Sequence, residues 1–439
     1  MKNIVTLVFT LCLLCAAQAQ AAMRVDIYGP GENIVNLALA APLTAPSTEA
    51  KGLGAKLNTV VLQNLSVLPF MKLTDKQNVL GGTVLEGYDN PGVDFKRFQI
   101  AGSDILVTAF WPKGDGNNST VQLRAFETNT GQRLFGKEYA GVKEKLLPEV
   151  ADRFCADLLE KLTGSGAFFR STLVFSQKTG KMQGNLYLVK PTGRDLRRIT
   201  NIQGEALSPT WSMDGRFIVF THLDAKSHAL GVWDRASGQV QRIRFPGNTV
   251  IGPAFMPNNK VAVSLSNGKT PDIFLLNHAF QKERVLESTG AINVSPSFDS
   301  TGTKMAFTSN RMGGPQIFLK DLNSGTVTRV SQNGGYNTEA NISPDGTLVA
   351  YSRMTDYGHR IFVQDMLTGV ERQVSFGPGS DEQPAFCADS YFIAFASTRE
   401  GGRGIYLTTR HGGEARKVPT GGGNVSFPRW GMPGTGDGK

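Results

Sequence analysis

Apolar and polar residues alternate in short runs over the last two thirds of the chain, as they do in strands whose two faces meet different surroundings. The pattern is clearest over residues 340–375. Residues 340–342 form a brief extended run. Ser343-Pro344-Asp345-Gly346 is a turn with proline where φ near −65° is wanted, and Leu348 and Ala350 then alternate with Val349 and Tyr351. Residues 360–365 and 370–375 repeat the alternation around Leu367-Thr368-Gly369. One such unit predicts a four-stranded antiparallel sheet.

The unit recurs. Its marker is Pro or Ala, one residue, then an apolar residue: Pro209-Thr210-Trp211, Pro253-Ala254-Phe255, Pro296-Ser297-Phe298, Ala340-Asn341-Ile342, Pro384-Ala385-Phe386 and Pro428-Arg429-Trp430. The markers are 44, 43, 44, 44 and 44 residues apart. A fixed period of this length with four strands in each is the signature of propeller blades. Residues 171–200 supply three strands without a first, and Pro428-Arg429-Trp430 supplies a first strand without followers. Joined, they close an all-β six-bladed β-propeller with no free sheet edge.

The preceding region has a different periodicity. Residues 24–28, 34–39, 105–111, 120–127 and 133–139 read as strands, the last two joined at Asn129-Thr130-Gly131. Leu53, Leu57, Val60, Val61 and Leu65 fall at helical spacing after a cap at Ser47 or Thr48, as do Leu147, Val150, Phe154, Leu158 and Leu162 before Gly164. This predicts a small α/β domain, a mixed sheet with two helices. The expected division is a signal peptide over residues 1–21, this domain over 22–165, the propeller over 166–433 and a tail over 434–439. Lys2, the apolar run from Ile4 to Cys15 and the following AAQAQAAM read as an export signal, too short for a membrane span. Leu14 before Cys15 departs from the small residue that a lipid-attachment motif wants.

Composition changes this picture little, but charge adds something. Residues 23–165 carry 15 Lys and Arg against 16 Asp and Glu, and residues 166–439 carry 30 against 21. The basic excess of the propeller reads either as a solvated surface or as a match to an acidic partner. Its dispersal over the blades argues against nucleic acid. Cys155 and Cys387 remain after the signal, one per domain, and read as buried thiols.

Catalytic signatures are absent: no G-x-S-x-G, H-E-x-x-H, Walker loop or C-x-x-C occurs. The five histidines, at 222, 228, 278, 359 and 411, do not recur at one blade position. Asp214, Asp345 and Asp389 share one turn position and read as turn formers. Arg311 and Arg399 occupy matching places after the second strand, with Arg353 nearby, and read as surface contacts. No catalytic residue, cofactor or metal is expected.

The signal, the α/β domain ending in Glu160-Lys161-Leu162-Thr163-Gly164 with Gly166-Ala167-Phe168 after it, and the S-P-D-G blades together resemble the TolB family of the Tol-Pal system. Ala340-Asn341-Ile342, lacking proline and an aromatic, departs from the pattern. The resemblance implies a monomeric periplasmic binding protein that links the lipoprotein Pal to TolA, in a machine for outer-membrane integrity and constriction at division. The competing class is a periplasmic hydrolase or lyase with its site at the propeller axis.

For TolA, the resemblance points to the N-terminal segment Ala22, Met23, Arg24, Val25, Asp26, Ile27 and Tyr28, which could otherwise be an ordinary edge strand. For Pal, it points to one propeller face. The loops entering each first strand would supply Glu205, Ser208, Thr249, Val250, Gly252, Asn293, Val294, Thr338, Glu339, Asp381 and Glu382. The loops between second and third strands would supply His222, Arg311, Arg353 and Arg399, acting as rim charges.

Overall fold

The computed structural model describes residues 34–45, 51–89, 92–114, 118–225, 227–247, 249–266 and 268–431. The proposed signal, the segment from Ala22 to Tyr28, the cap at Ser47 or Thr48 and the tail from residue 434 lie outside them.

The first domain is built on a mixed sheet of six strands: β1 (Val35–Leu39), β2 (Leu43–Thr44), β3 (Met71–Leu73), β4 (Ile105–Lys113), β5 (Ser119–Glu127) and β6 (Arg133–Val142). Their order is β3-β1-β4-β5-β6, with β2 beside β4; β1 runs parallel to β3 and β4, and β4, β5 and β6 are antiparallel. Side-chain alternation divides the core. Leu37, Ile105 and Val107 face helices α1 (Lys51–Ser66) and α3 (Leu147–Thr163), while Ala38 and Leu106 face Phe98 of the short α2 (Phe95–Ile100). The second predicted helix begins at the first residue of its apolar series, Leu147, after a 3₁₀ turn over residues 144–146, with Pro148 in its first turn. Gly164 ends α3 in the left-handed region, φ 87°.

Six four-stranded blades follow. Blade 2 is Glu205–Trp211, Phe217–Leu223, His228–Asp234 and Val240–Ile243; blades 3 to 6 begin at Thr249–Phe255, Asn293–Phe298, Asn337–Ile342 and Asp381–Phe386. In blade 1 the innermost strand is Val425–Trp430, which pairs antiparallel with Leu173–Gly180, Trp430 opposite Leu173. The last strand of the chain thus completes the first blade.

The domains share one apolar core. Phe168, just beyond α3, packs on Phe392 of blade 6 and Trp430 of blade 1, with centroids 4.4 and 5.6 Å away. A polar contact flanks it: Asp152 of α3 receives hydrogen bonds from Asn64 of α1 and Lys190 of blade 1, and an ion pair from Arg194. Cys155 and Cys387 lie buried in this core as free thiols, where burial raises their pKa values.

Candidate functional site

Every first strand contains an irregularity in its pairing with the second, immediately before the marker. The residue at the break lies at positive φ in all six blades: Ser208 (49°), Gly252 (52°), Ser295 (56°), Glu339 (59°), Gln383 (61°) and Phe427 (54°). These are β-bulges, which kink the innermost strand and leave a backbone N–H without its ladder partner. All six residues line a cavity of about 190 Å³ on the propeller axis.

In two blades a polar bulge residue satisfies the orphaned donor of the next. Gln383 N–H donates to Glu339 Oε2 (2.8 Å), and Phe427 N–H donates to Gln383 Oε1 (2.8 Å), so each side chain serves the bulge of the next blade. Burial pushes the Glu339 carboxyl up to about 7, with Glu382 adding to the rise against the hydrogen bond from Gln383 and the charge of Arg429. Burial lowers Arg429 to about 10. Its guanidinium donates to the carbonyls of Pro428 (2.9 Å) and Pro384 (3.3 Å). The cavity therefore carries a carboxyl poised to ionise near neutrality and a fixed cation.

The structure corrects the reading of these segments as entering loops. Glu205 to Ser208, Thr249 to Gly252 and their equivalents already belong to the first strands, because pairing resumes for two residues beyond each bulge. Only Ser208, Gly252 and Glu339 of the predicted contacts meet at the cavity. Val250 is in the hydrophobic core, and Val294 and Thr338 are half-buried strand residues. Glu205 is held by Lys178 (2.9 Å), and Glu382 lies between Arg403 and His359. His222 is a buried strand residue whose Nε2 meets the Gln203 carbonyl at 2.8 Å.

Nor are the three arginines rim charges. Arg311 stacks over Phe307 and Phe318, Arg353 over Tyr351 and Phe362, and Arg399 over Phe395 and Tyr406. Each donates to the residue opening its own first strand: Asn293 (2.8 Å), Asn337 (2.9 Å) and Asp381 (2.9 Å). Arg311 also pairs with Glu287 at 2.7 Å and Arg353 with Glu371 at 2.5 Å. A guanidinium between two rings and against a carboxylate is fixed in the blade interior. Of the turn formers, Asp214 accepts from Ser212 Oγ (2.6 Å), Asp345 from Ser343 Oγ (2.5 Å), and Asp389 from the N–H groups of Tyr391 and Phe392.

Phe427 and Arg429 were missed as site residues, and Ser295 and Gln383, which end two of the segments read as entering loops, were not singled out. The signal was available: the position before each marker proline keeps the blade period, so choosing Ser208 and Gly252 implied Ser295, Gln383 and Phe427 as well.

The TolB beta propeller domain family (PD40) matches residues 159–433. The Tol-Pal system protein TolB of Nitratidesulfovibrio vulgaris is 62% identical over 309 residues, 70% of each chain. A protein TolB homolog of Chlorobium luteolum is 29% identical over 311 residues, 71% of this chain and 70% of its own. The crystal structure of TolB from Acinetobacter baumannii superposes with a TM-score of 0.77 at 19% identity, covering 92% of this chain and 98% of that one, a likeness of fold.

Proposed function

The chain belongs to the TolB family, and from that premise we propose that it is a non-enzymatic periplasmic binding protein of the Tol-Pal system. It links the outer-membrane lipoprotein Pal to TolA, in support of outer-membrane integrity and of constriction at division. The domain over residues 22–165 carries the TolA segment, Ala22 to Tyr28, and the propeller over residues 166–433 takes Pal.

The observation carrying the Pal contact is the ring of six bulges. Their left-handed residues surround one axial cavity, and the polar groups there, Ser208, Ser295, Glu339, Gln383 and Arg429, come from five different blades. A rigid ring of this kind offers an inserting loop hydrogen-bond partners that need no ordering on binding. The contact is therefore centred on the cavity, and not on Arg311, Arg353 and Arg399. Surface plasmon resonance against the soluble domain of Pal tests this. Ser208→Trp, which fills the cavity, should speed dissociation by about tenfold or more, since interface changes act mainly on the off-rate. An unchanged off-rate in a folded Ser208→Trp protein would remove the cavity from the contact. Deleting residues 22–28 should abolish TolA capture and leave the melting temperature unchanged.

A further inference from the structure

The turn between the third and fourth strands of blade 6 (Gly404–Thr409 and Gly412–Lys417) consists of Arg410 and His411. Arg372, on the fourth strand of blade 5 (Glu371–Gln373), approaches the same imidazole. Arg372 Nη1 lies 3.1 Å from His411 Nδ1, and Arg410 Nε lies 3.2 Å from His411 Nε2. Guanidinium nitrogens only donate, and a neutral imidazole accepts at one nitrogen and donates at the other. Whichever tautomer is present, one of these contacts sets N–H against N–H. Protonating the ring would make both of them so.

The surroundings do not offset the charge as they do elsewhere in the propeller. Among the described residues, the side-chain hydrogen bonds of Arg372 and Arg410 go to His411, whereas Arg311, Arg353 and Arg399 each meet a carboxylate. Asp365 is near enough to Arg372 for its own acidity to respond, but no ion pair joins them. Glu414 pairs with Arg416. Tyr391 stands edge-on to His411 at 5.9 Å, with the Arg410 guanidinium 5.7 Å from its ring centroid. That tyrosine is 8% exposed, and its hydroxyl is buried without a partner. Phe70 of the first domain packs on its ring at 6.0 Å, so the cluster lies beside the junction of the two domains.

We propose that Arg372, Arg410 and His411 form a binding site for a phosphoryl dianion, inorganic phosphate or a phosphate monoester. An oxygen that accepts from the ring N–H and from the opposing guanidinium removes the donor clash. Two guanidinium charges from different blades match a doubly charged tetrahedral group better than a single carboxylate, and all three side chains are half-buried, open to a ligand from solvent. Burial and the two arginines push His411 down to about 4, so its ring is neutral at neutral pH and keeps one N–H for the ligand. The site lies between the turn that joins the third and fourth strands of blade 6 and the fourth strand of blade 5, apart from the axial cavity, and does not depend on Pal or TolA binding.

Isothermal titration calorimetry of the full chain with inorganic phosphate at low ionic strength should show saturable binding at one site. Arg372→Ala and Arg410→Ala should each weaken it by about tenfold or more, the loss of one charge-assisted contact. Arg284→Ala, at an exposed position of blade 3, should leave it unchanged. In the wild type, phosphate should also raise the His411 titration midpoint, read by NMR of the ring, which requires no variant to fold. Absence of both saturable heat and a His411 shift overturns the proposal. So does equal weakening by Arg284→Ala, which would mean diffuse charge, or tighter binding of succinate than of phosphate, which would assign a carboxylate ligand.

Discussion

Blades 4 to 6 and blades 2 and 3 share a backbone but fill it differently. At the register pair formed by the middles of the second and third strands, blades 4, 5 and 6 place two aromatic rings: Phe307 with Phe318, Tyr351 with Phe362, and Phe395 with Tyr406. An arginine lies against each pair and ties it to the start of the first strand. In blade 2 the pair is Phe220 with Gly231 and in blade 3 Val263 with Phe274, while blade 1 has two rings, Phe175 and Tyr187, stacked at 5.8 Å. Blade 2 carries Asp224 where blade 4 has Arg311. The four-stranded blade therefore does not require the clamp. What recurs is the slot between two rings: the rings keep a spacing of 44 residues, while the arginines, at 311, 353 and 399, do not.

The strongest way to break this comparison is Arg353→Ala. Its guanidinium is 9% exposed, and Glu371 and Asn337 both depend on it. Glu371 is held below the usual carboxylate range against its burial by the hydrogen bonds from Arg353 and Tyr351. Removing one partner of a buried pair costs about 3–5 kcal/mol, whereas Ser264→Ala, beside the slot residue Val263 of blade 3, should stay within about 1 kcal/mol. Urea unfolding checks both. Charge reversal at Arg311 or Arg399 should likewise destabilise the fold, and any weakening of Pal binding there should follow the fraction unfolded. A loss near 1 kcal/mol for Arg353→Ala would show the clamp to be idle.

The bulge relay sharpens the comparison at the axis, since its carboxyl and amide lie in blades 5 and 6 while blade 3 has Gly252. Below about pH 4.5 Glu339 is protonated whether the chain is folded or not. Between there and about pH 7 the folded protein keeps a proton that the unfolded chain has lost, so stability falls as pH rises through that window. The full change is up to about 3 kcal/mol. Glu339→Gln keeps an acceptor for Gln383 N–H and should remove this component of the slope. Denaturant midpoints of the two proteins at pH 4.5 and 7.5 measure it; parallel slopes would mean that Glu339 does not titrate in the window.

The period, the turn chemistry and the α/β periodicity of the first domain were legible in the sequence because each is a local pattern. Leu53, Leu57, Val61 and Leu65 do form the buried stripe of α1, and Asp214, Asp345 and Asp389 do make turns. The bulges were not read, since a bulge is a property of the pairing between two strands and Ser208 or Gln383 alone does not announce one. The arginine clamps were misread for a related reason. An arginine following a strand looks exposed until the rings beneath it, in its own strand and the next, are brought together. The short strands β2 and β3 were missed because two or three residues cannot display alternation.

Gly231→Ala probes the slot from its empty side. A Cβ at residue 231 would meet the Phe220 ring at 2.3 to 2.7 Å, so the ring must shift. Overpacking of this kind costs about 1–3 kcal/mol. Gly238→Ala, at a turn position of the same blade with open space around it but φ 69°, separates the cost of crowding from that of backbone strain. A Gly231→Ala protein as stable as the wild type would mean that the slot in blade 2 is slack.

The smallest expected effect compares one turn position in two blades. Asp214 of blade 2 accepts from Ser212 Oγ and Arg216 N–H, and these bonds hold its carboxyl below its usual value. Asp389 of blade 6 makes equivalent bonds to Tyr391 and Phe392, yet its burial raises the pKa, and Oδ2 is buried without a partner. The two should respond to pH with opposite sign. The contribution of Asp214 is present above its unfolded pKa and is lost as pH falls through the lower folded value. The charge on Asp389 costs stability once pH rises above its unfolded pKa, and that cost is complete above the raised folded value. Asp214→Asn should therefore cost at most about 1 kcal/mol at neutral pH, a typical net hydrogen-bond contribution, and less in acid. Asp389→Asn keeps the Oδ1 acceptor and removes a buried charge, so it should be neutral or stabilising at pH 7 and lose that advantage near pH 3. Thermal melts at the two pH values decide it: if both substitutions destabilise equally at pH 7, the turn geometry governs the position and the burial of Asp389 does not.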